Sequence, residues 1–298
     1  MKKYCILLCC LLSTIIIHGQ IKLSSQAEKQ PEKIAFDNSR NWQGEHYRNY
    51  IGQTLYVVPK PEQLVKYGYE GFYETPNGNI YQQVSKISRN TKTEALASKT
   101  FKVEDAKVIG KNILGYPNVF LKLTSNSDTL YYNYDIRYEH KFPFIVMAYL
   151  DKLKADYIGK KSCLRKCPDT KLADYVNGKD VMLTPGSLWT CSDIVLDTKY
   201  YTLTMLFTND KGETISNEAN RYKFMFISEP YKQKLEAKYG KAIVLTAIKG
   251  NIQKGMSGEL VKVAYGEPIR INDASYGEQW VYDGYYVYFR NGKVTGWN

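Results

Sequence analysis

The sequence predicts an α+β protein: strand-rich repeated units with short helices, ending in a helix–helix pair and a three-stranded antiparallel meander. Three observations carry this prediction. A segment reading K-F-x-F-I-x3-Y-x2-K-L-x-A-x-Y starts at Lys141 and again at Lys223. Two adjacent glycine turns, Asp283-Gly284 and Asn291-Gly292, divide the last aromatic-rich stretch into three runs. Tyrosine is unusually frequent, 27 of 298 residues, in a chain that is 44% hydrophobic and 24% charged. That composition supports a packed core and excludes collagen, a coiled coil, a disordered tail and a polytopic membrane protein.

From the N-terminus, residues 1–19 read as a secretory signal peptide. Lys2 and Lys3 form a basic start, and residues 4–17 an apolar core shorter than the ~20 residues of a typical span. Gly19 offers a small residue for cleavage before Gln20. Cys9 and Cys10 lie inside this core without a small residue before them, so they read as small hydrophobes and no lipid anchor is expected. Residues 20–49 read as a flexible leader, because Gln26 to Arg40 is polar, contains Pro31 and lacks periodicity.

Three tyrosine–glycine starts, at Tyr50, Tyr157 and Tyr239, divide the rest into unit one (50–156), unit two (157–238) and a C-terminal unit (239–298). Phe142 and Phe144, like Phe224 and Phe226, alternate as in a half-buried strand. Tyr149, Leu153 and Tyr157, like Tyr231, Leu235 and Tyr239, stand at i, i+4 and i+8, one stripe of a helix. Ser228 and Pro230 suit a helix start, and Gly159 and Gly240 suit left-handed C-terminal caps. The first two units share more. Residues 121–129 resemble residues 205–214, each an apolar strand, a polar turn and a return strand, and Phe101-x-Val103-x-Asp105 parallels Trp189-x-Cys191-x-Asp193. Further turns are expected at Asn77-Gly78, Asn177-Gly178 and Asp210-Lys211-Gly212.

In the C-terminal unit, Ser257 suits an N-cap ahead of the apolar stripe Leu260, Val261 and Ala264, with Gly266 and Pro268 as the stop. Asp283-Gly284 and Asn291-Gly292 fit two-residue type I′ turns. The pattern I-x-x-G-M-S, then V-x4-G-x-P, W-x-Y and F-x-N-G-K-V is carried by Gly255, Met256, Val261, Gly266, Pro268, Trp280, Tyr282, Phe289, Gly292, Lys293 and Val294. It resembles the SmpA/OmlA-type domain, the fold of the small lipoprotein subunit of the outer-membrane β-barrel assembly machine. The resemblance spans about residues 240–298 and implies a helix-plus-sheet unit that docks envelope proteins. Secreted β-lactamase inhibitors are similar to tandem copies of such a unit.

No motif announces a reaction. Neither His46 nor His140 has a nucleophile and an orienting acid near it in the sequence, and no metalloprotease, phosphate-loop or nucleophile-elbow pattern occurs. Gly255-Met256-Ser257-Gly258 reads as a helix cap. Cys163, Cys167 and Cys191 make a poor zinc set, and one disulfide among them, of unassigned pairing, is expected with one buried thiol. No cofactor or metal is expected. The net charge of +11 suits an anionic surface or a glycan, and export argues against nucleic acid. Lys160, Lys161, Arg165 and Lys166 read as lysine protection of an edge strand.

The resulting expectation is an exported, non-enzymatic binding or scaffolding protein of a bacterial cell envelope, periplasmic or outer-membrane associated. Its partner is an envelope protein docked on a tyrosine-rich sheet whose candidate residues are Trp280, Tyr282, Tyr285, Tyr286, Tyr288 and Trp297. The alternative is glycan or peptidoglycan binding by units one and two, favoured by exposed tyrosines in a groove. Peripheral membrane association fits the charge, and a hydrolase ranks lowest.

Overall fold

In the computed structural model of the chain, residues 35–126, 128–197, 202–275 and 277–298 are described. The expected signal peptide and the first half of the expected leader lie outside them. No helix among the described residues is long and apolar enough to cross a membrane.

Unit one is built from β1 (Thr54–Val57), β2 (Tyr69–Glu70), β3 (Phe72–Tyr73), β4 (Asn90–Thr91), β5 (Thr100–Lys111), β6 (Pro117–Thr124), β7 (Thr129–Tyr134) and β8 (Phe144–Val146). Two one-turn helices, α1 (Glu62–Val65) and α2 (Thr93–Leu96), interrupt the long β1–β5 connection. The main sheet runs β3-β7-β6-β5-β1-β8, all antiparallel. Side chains alternate faces along a strand. Leu55 and Val57, Phe101 and Val103, Leu121 and Leu123, and Leu130 and Tyr132 therefore form one buried face.

The segment before β1 departs from the expected leader. Phe36, Trp42 and Tyr47 pack on the unit-one core, and Tyr47–Tyr50 forms a 3-10 turn. The Asn41 side chain donates to the Phe144 carbonyl at 2.7 Å and accepts the Val146 N–H at 2.8 Å. One amide thus satisfies the open edge of β8, a place where an unpaired strand would otherwise invite another chain. The polar composition of 26–40 hid this, because anchoring rests on a few aromatic and amide side chains rather than on periodicity.

Helix α3 (Met147–Tyr157) leads into unit two: β9 (Lys161–Leu164), β10 (Lys171–Ala173), β11 (Asp180–Met182), β12 (Leu188–Leu196), β13 (Leu203–Thr208), β14 (Thr214–Glu218), the one-turn helix α4 (Tyr222–Met225) and β15 (Phe226–Ser228). Its sheet runs β14-β13-β12-β9-β15, while β10 and β11 pair separately. This reproduces the β7-β6-β5-β1-β8 order of unit one strand for strand. The register repeats too. Gly52 N–H donates to Val103 O and Gly159 N–H to Cys191 O, both at 2.8 Å. Strands β5 and β12 then each carry a bulge before an aspartate, at Val103/Asp105 and at Cys191/Asp193. A bulge leaves a backbone N–H without a ladder partner. Asp105 accepts the Ala106 N–H at 2.8 Å, and Asp193 accepts the Ile194 N–H at 2.7 Å.

Two details of the repeat differ from expectation. Phe142 packs on the unit-one core, but Phe224 is 69% exposed. Residues 222–225 coil into α4, so Tyr222 takes the interior place, its ring 4.8 Å from Tyr157. In addition, α3 belongs to two cores. Its Ala148 and Tyr149 pack on unit one, while Leu150, Leu153 and Tyr157 pack on unit two.

Helix α5 (Glu229–Tyr239) repeats this hand-over. Ser228 caps it by accepting the Tyr231 N–H, and Leu235 is buried in the C-terminal core. Gly159 and Gly240 take positive φ, +77° and +88°, as the stops require. After Gly240 the chain enters the expected helix pair, α6 (Lys241–Ile248) and then α7 (Gly258–Tyr265), which Ser257 caps. The meander has four strands, not three: β16 (Arg270–Ala274), β17 (Gly277–Tyr282), β18 (Tyr285–Arg290) and β19 (Lys293–Trp297), paired in order. The polar run Arg270-Ile271-Asn272-Asp273 concealed the first of them. Asn291 and Gly292 both have positive φ, as type I′ requires, but at the β17–β18 turn only Gly284 does. Cys163 and Ile227 join the C-terminal core, so the outer face of unit two is covered by the helices that follow it.

Candidate functional site

The sheet residues expected to bind a partner divide between two faces. Trp280 and Tyr282 are 7% and 6% exposed and face the helices. Trp280 packs 4.4 Å from Phe289 and donates its indole N–H to Glu278 at 2.8 Å. Tyr282 stacks on Tyr285 at 5.1 Å and donates to the Gly266 carbonyl at 3.2 Å, and its burial pushes the phenol pKa up. Tyr285 lies against Tyr265 of α7. Trp280 and Tyr282 are core and Tyr285 packs against it, because helix α7 presses its apolar stripe on the β17–β18 face that carries them. Trp297 is 46% exposed at the sheet edge, in register with Val287. Tyr286, 39% exposed, and half-buried Tyr288 point to the opposite face. There Asn272 donates to Gln279 at 2.9 Å and Gln279 to the Tyr288 oxygen at 3.4 Å, an amide ladder across three strands.

Cys163, Cys167 and Cys191, the cysteines among the described residues, form the expected disulfide in no pairing; each is free. Cys163 and Cys191 sit on adjacent strands, but one side chain enters the C-terminal core and the other the unit-two core, through opposite faces of the sheet. The Cys167 thiol donates to the Asp169 carbonyl at 3.2 Å. Burial pushes Cys163 and Cys191 up to about 11 and raises Cys167, so the thiols stay protonated at neutral pH. Among the described residues no cluster of three or more metal-ligating side chains occurs.

The site that sequence reasoning did not assemble is a groove of about 820 Å³ in unit one. Its walls come from four separated stretches. The β1–β5 connection supplies Tyr67, Tyr69, Glu70, Tyr73, Arg89 and Asn90. The β5–β6 turn supplies Asn112, the paired strands β6 and β7 supply Asn118 and Asn133, and the turn before β8 supplies His140 and Lys141. Two tyrosines are structural floor. Tyr69 donates to the Val58 carbonyl at 2.7 Å, under the Lys60 ammonium 5.1 Å from its ring, and burial pushes its phenol up to about 12. Tyr132 donates to the Lys141 carbonyl at 2.7 Å. The other two present ring surface. Tyr67 is exposed, with its carbonyl held by the Asn90 amide at 2.7 Å, and half-buried Tyr73 leans edge-on against Phe120 at 5.9 Å.

Polar capacity is spread along the groove. The Asn112 oxygen is used by the Leu114 and Tyr116 N–H groups of its own turn. Asn118 and Asn133 line the groove with side-chain amides that take no hydrogen bond from or to the described residues. Asp135 is tied to the Arg137 guanidinium by two contacts, 3.0 and 3.1 Å, and lies 3.4 Å from Lys141. Burial raises its pKa, but these hydrogen bonds outweigh it and hold the carboxyl below its ordinary value. Asp135 is therefore an ion-pair partner, and the His140 ring packs 5.5 Å from Tyr138. The sequence signal was the closely spaced Tyr67, Tyr69 and Tyr73. The asparagines carry no signal until the fold gathers them.

Comparison with family models, with curated proteins and with solved structures finds no match to this chain.

Proposed function

We propose that the chain is a non-enzymatic binding protein of the bacterial envelope and that the unit-one groove holds a short stretch of glycan. The observation that carries this reading is the adjacency of ring surface, Tyr67 and Tyr73, to the unengaged amides of Asn118 and Asn133. A pyranose ring offers an apolar C–H face and a rim of hydroxyls. An aromatic side chain packs on the first, and an amide, donor and acceptor at once, meets the second. The Asp135 carboxylate, committed to Arg137 and Lys141, supports binding without turnover. The apolar stretch near the N-terminus supports export.

A glycan array with the purified chain, followed by calorimetric titration of any hit, tests the reading. Tyr67→Ala and Asn133→Ala are expected to weaken binding at least tenfold each, about 1.4 kcal/mol. A silent array, or hits indifferent to both substitutions, removes it.

A second reading rests on a different observation. The outer face of the C-terminal sheet pairs Tyr286 and Tyr288 with an amide ladder, the composition of a protein-contact surface. This supports docking of an envelope protein by the SmpA/OmlA-like unit, through that face alone.

A further inference from the structure

The turns that border the unit-one groove carry a feature the glycan reading does not use. Ile113 and Leu114 form the tip of the β5–β6 hairpin, Ile113 fully exposed and Leu114 two-thirds exposed. Ile87, almost fully exposed, sits two residues from the groove residue Arg89. Large aliphatic side chains held in water at the ends of separate turns serve no core. They are not one flat patch either, as a protein interface of this size would present.

Each tip is flanked by cations. Lys111 precedes the hairpin tip, and Lys86 and Arg89 bracket Ile87. Tyr116, two residues after Leu114, belongs to an aromatic–cationic cluster. The Arg137 guanidinium stacks 4.5 Å from the Tyr116 ring and 4.9 Å from the Tyr138 ring, with Lys141 5.1 Å from Tyr138. Both tyrosines are more than two-fifths exposed. Exposed aliphatic tips flanked by cations, with exposed tyrosines beside them, have the composition of a lipid-interface contact, which combines apolar, aromatic and basic side chains.

We propose that this end of unit one seats on an anionic lipid bilayer, with Ile113 and Leu114 entering the interface and the flanking lysines and arginines resting on the headgroups. Such seating brings the groove residue Asn112, which precedes Ile113, to the membrane surface. The inference is independent of what the groove holds.

The test uses the full chain carrying Ile113→Trp, with the unsubstituted chain subtracted. Vesicles of phosphatidylcholine with phosphatidylglycerol are compared with vesicles of phosphatidylcholine alone. The proposal expects a blue shift of the added tryptophan, and quenching by brominated acyl chains, with the anionic vesicles only. Emission that keeps its position in water overturns it, even if the chain binds vesicles through another segment. In the same assay, Ile113→Trp combined with Lys111→Glu and Lys86→Glu is expected to need at least tenfold more lipid for the same shift. An unchanged requirement overturns the electrostatic half of the proposal. Both sites are exposed, and an unchanged far-ultraviolet dichroism spectrum confirms that the fold is kept.

Discussion

Glu259 of α7 accepts the phenolic O–H of Tyr239, the last residue of α5, at 2.8 Å. The same carboxylate lies 2.8 Å from the Lys238 ammonium and 3.4 Å from the Tyr231 hydroxyl. The tyrosines of the repeated helix segment thus serve as donors to one acid on the next helix. Lys238, then Tyr239, hold the Glu259 pKa below its ordinary 4.5. A carboxylate whose folded pKa is depressed stabilises the fold above its unfolded pKa and loses that contribution as pH falls through the folded value. The C-terminal unit is therefore expected to weaken on acidification below about 4.5, the ordinary carboxyl value. Glu259→Ala is expected to cost about 1–2 kcal/mol at neutral pH, by urea unfolding, and to flatten the acid limb. An acid limb identical to that of the parent protein would exclude Glu259 as its source.

The paired bulges give a test of the duplication. Asp105 and Asp193 each cap the N–H that follows them. Asp105→Ala and Asp193→Ala are expected to cost about 1 kcal/mol each, and Asn at either place less than half of that, since an amide oxygen accepts the same bond. The two positions lie in different units, so the double substitution is expected to add. Strong non-additivity in chemical denaturation would show that the bulges do not act as separate local devices.

Phe226 and Phe224 separate sequence similarity from structural role. Phe226 is 1% exposed and stacks 4.3 Å from Phe207, whereas Phe224 faces solvent. Phe226→Ala is expected to destabilise by about 3–5 kcal/mol, the usual range for a fully buried aromatic. Phe224→Ala is expected to stay within ~0.5 kcal/mol of the parent. Equal effects of the two would return Phe224 to the core and α4 to a strand.

The repeat shows what was legible. The matching segments at 141 and 223, and the F-x-V-x-D and W-x-C-x-D strands, encode cores and bulges, which depend on local spacing. The C-terminal caps and turns were legible for the same reason. What escaped depends on distant partners. The leader's order comes from Asn41 meeting β8, and the face assignment of Trp280 and Tyr282 comes from α7. The groove comes from four segments that share no pattern. Alternation along β18 requires two faces, but which one the helices cover is decided by tertiary packing.

The free thiols predict chemistry rather than stability. Cys163 and Cys191 are buried with raised pKa values, and Cys167 is partly accessible. Among these three, alkylation of the native protein at neutral pH, mapped by mass spectrometry, is expected to mark Cys167 first and the other two only on unfolding. Reductant is expected to leave the melting temperature unchanged. A drop with reductant, or a Cys163–Cys191 crosslinked peptide, would put both thiols on one face of the sheet and contradict the division between two cores.

Gly68 connects fold to groove most directly. It precedes Tyr69 at φ +64°, and a Cβ there would collide with the Thr91 carbonyl oxygen of the paired strand β4 and crowd the Val84 side chain. The dihedral and the carbonyl both belong to the backbone, so no rotamer change relieves them. Gly68→Ala is expected to cost more than about 2 kcal/mol, the positive-φ penalty for a residue with a Cβ plus the displaced strand. Gly110, at φ +73° in β5, has open space where a methyl group would stand, with no atom within 4 Å. Gly110→Ala thus carries the dihedral penalty alone, about 1–2 kcal/mol. Because β2 and β4 hold Tyr67, Tyr69 and Asn90 in place, Gly68→Ala is also expected to abolish the proposed glycan binding at temperatures where the protein remains folded. Gly110→Ala is expected to leave binding intact. If both variants lose stability equally and keep binding, the strand pair β2–β4 is not what shapes the groove.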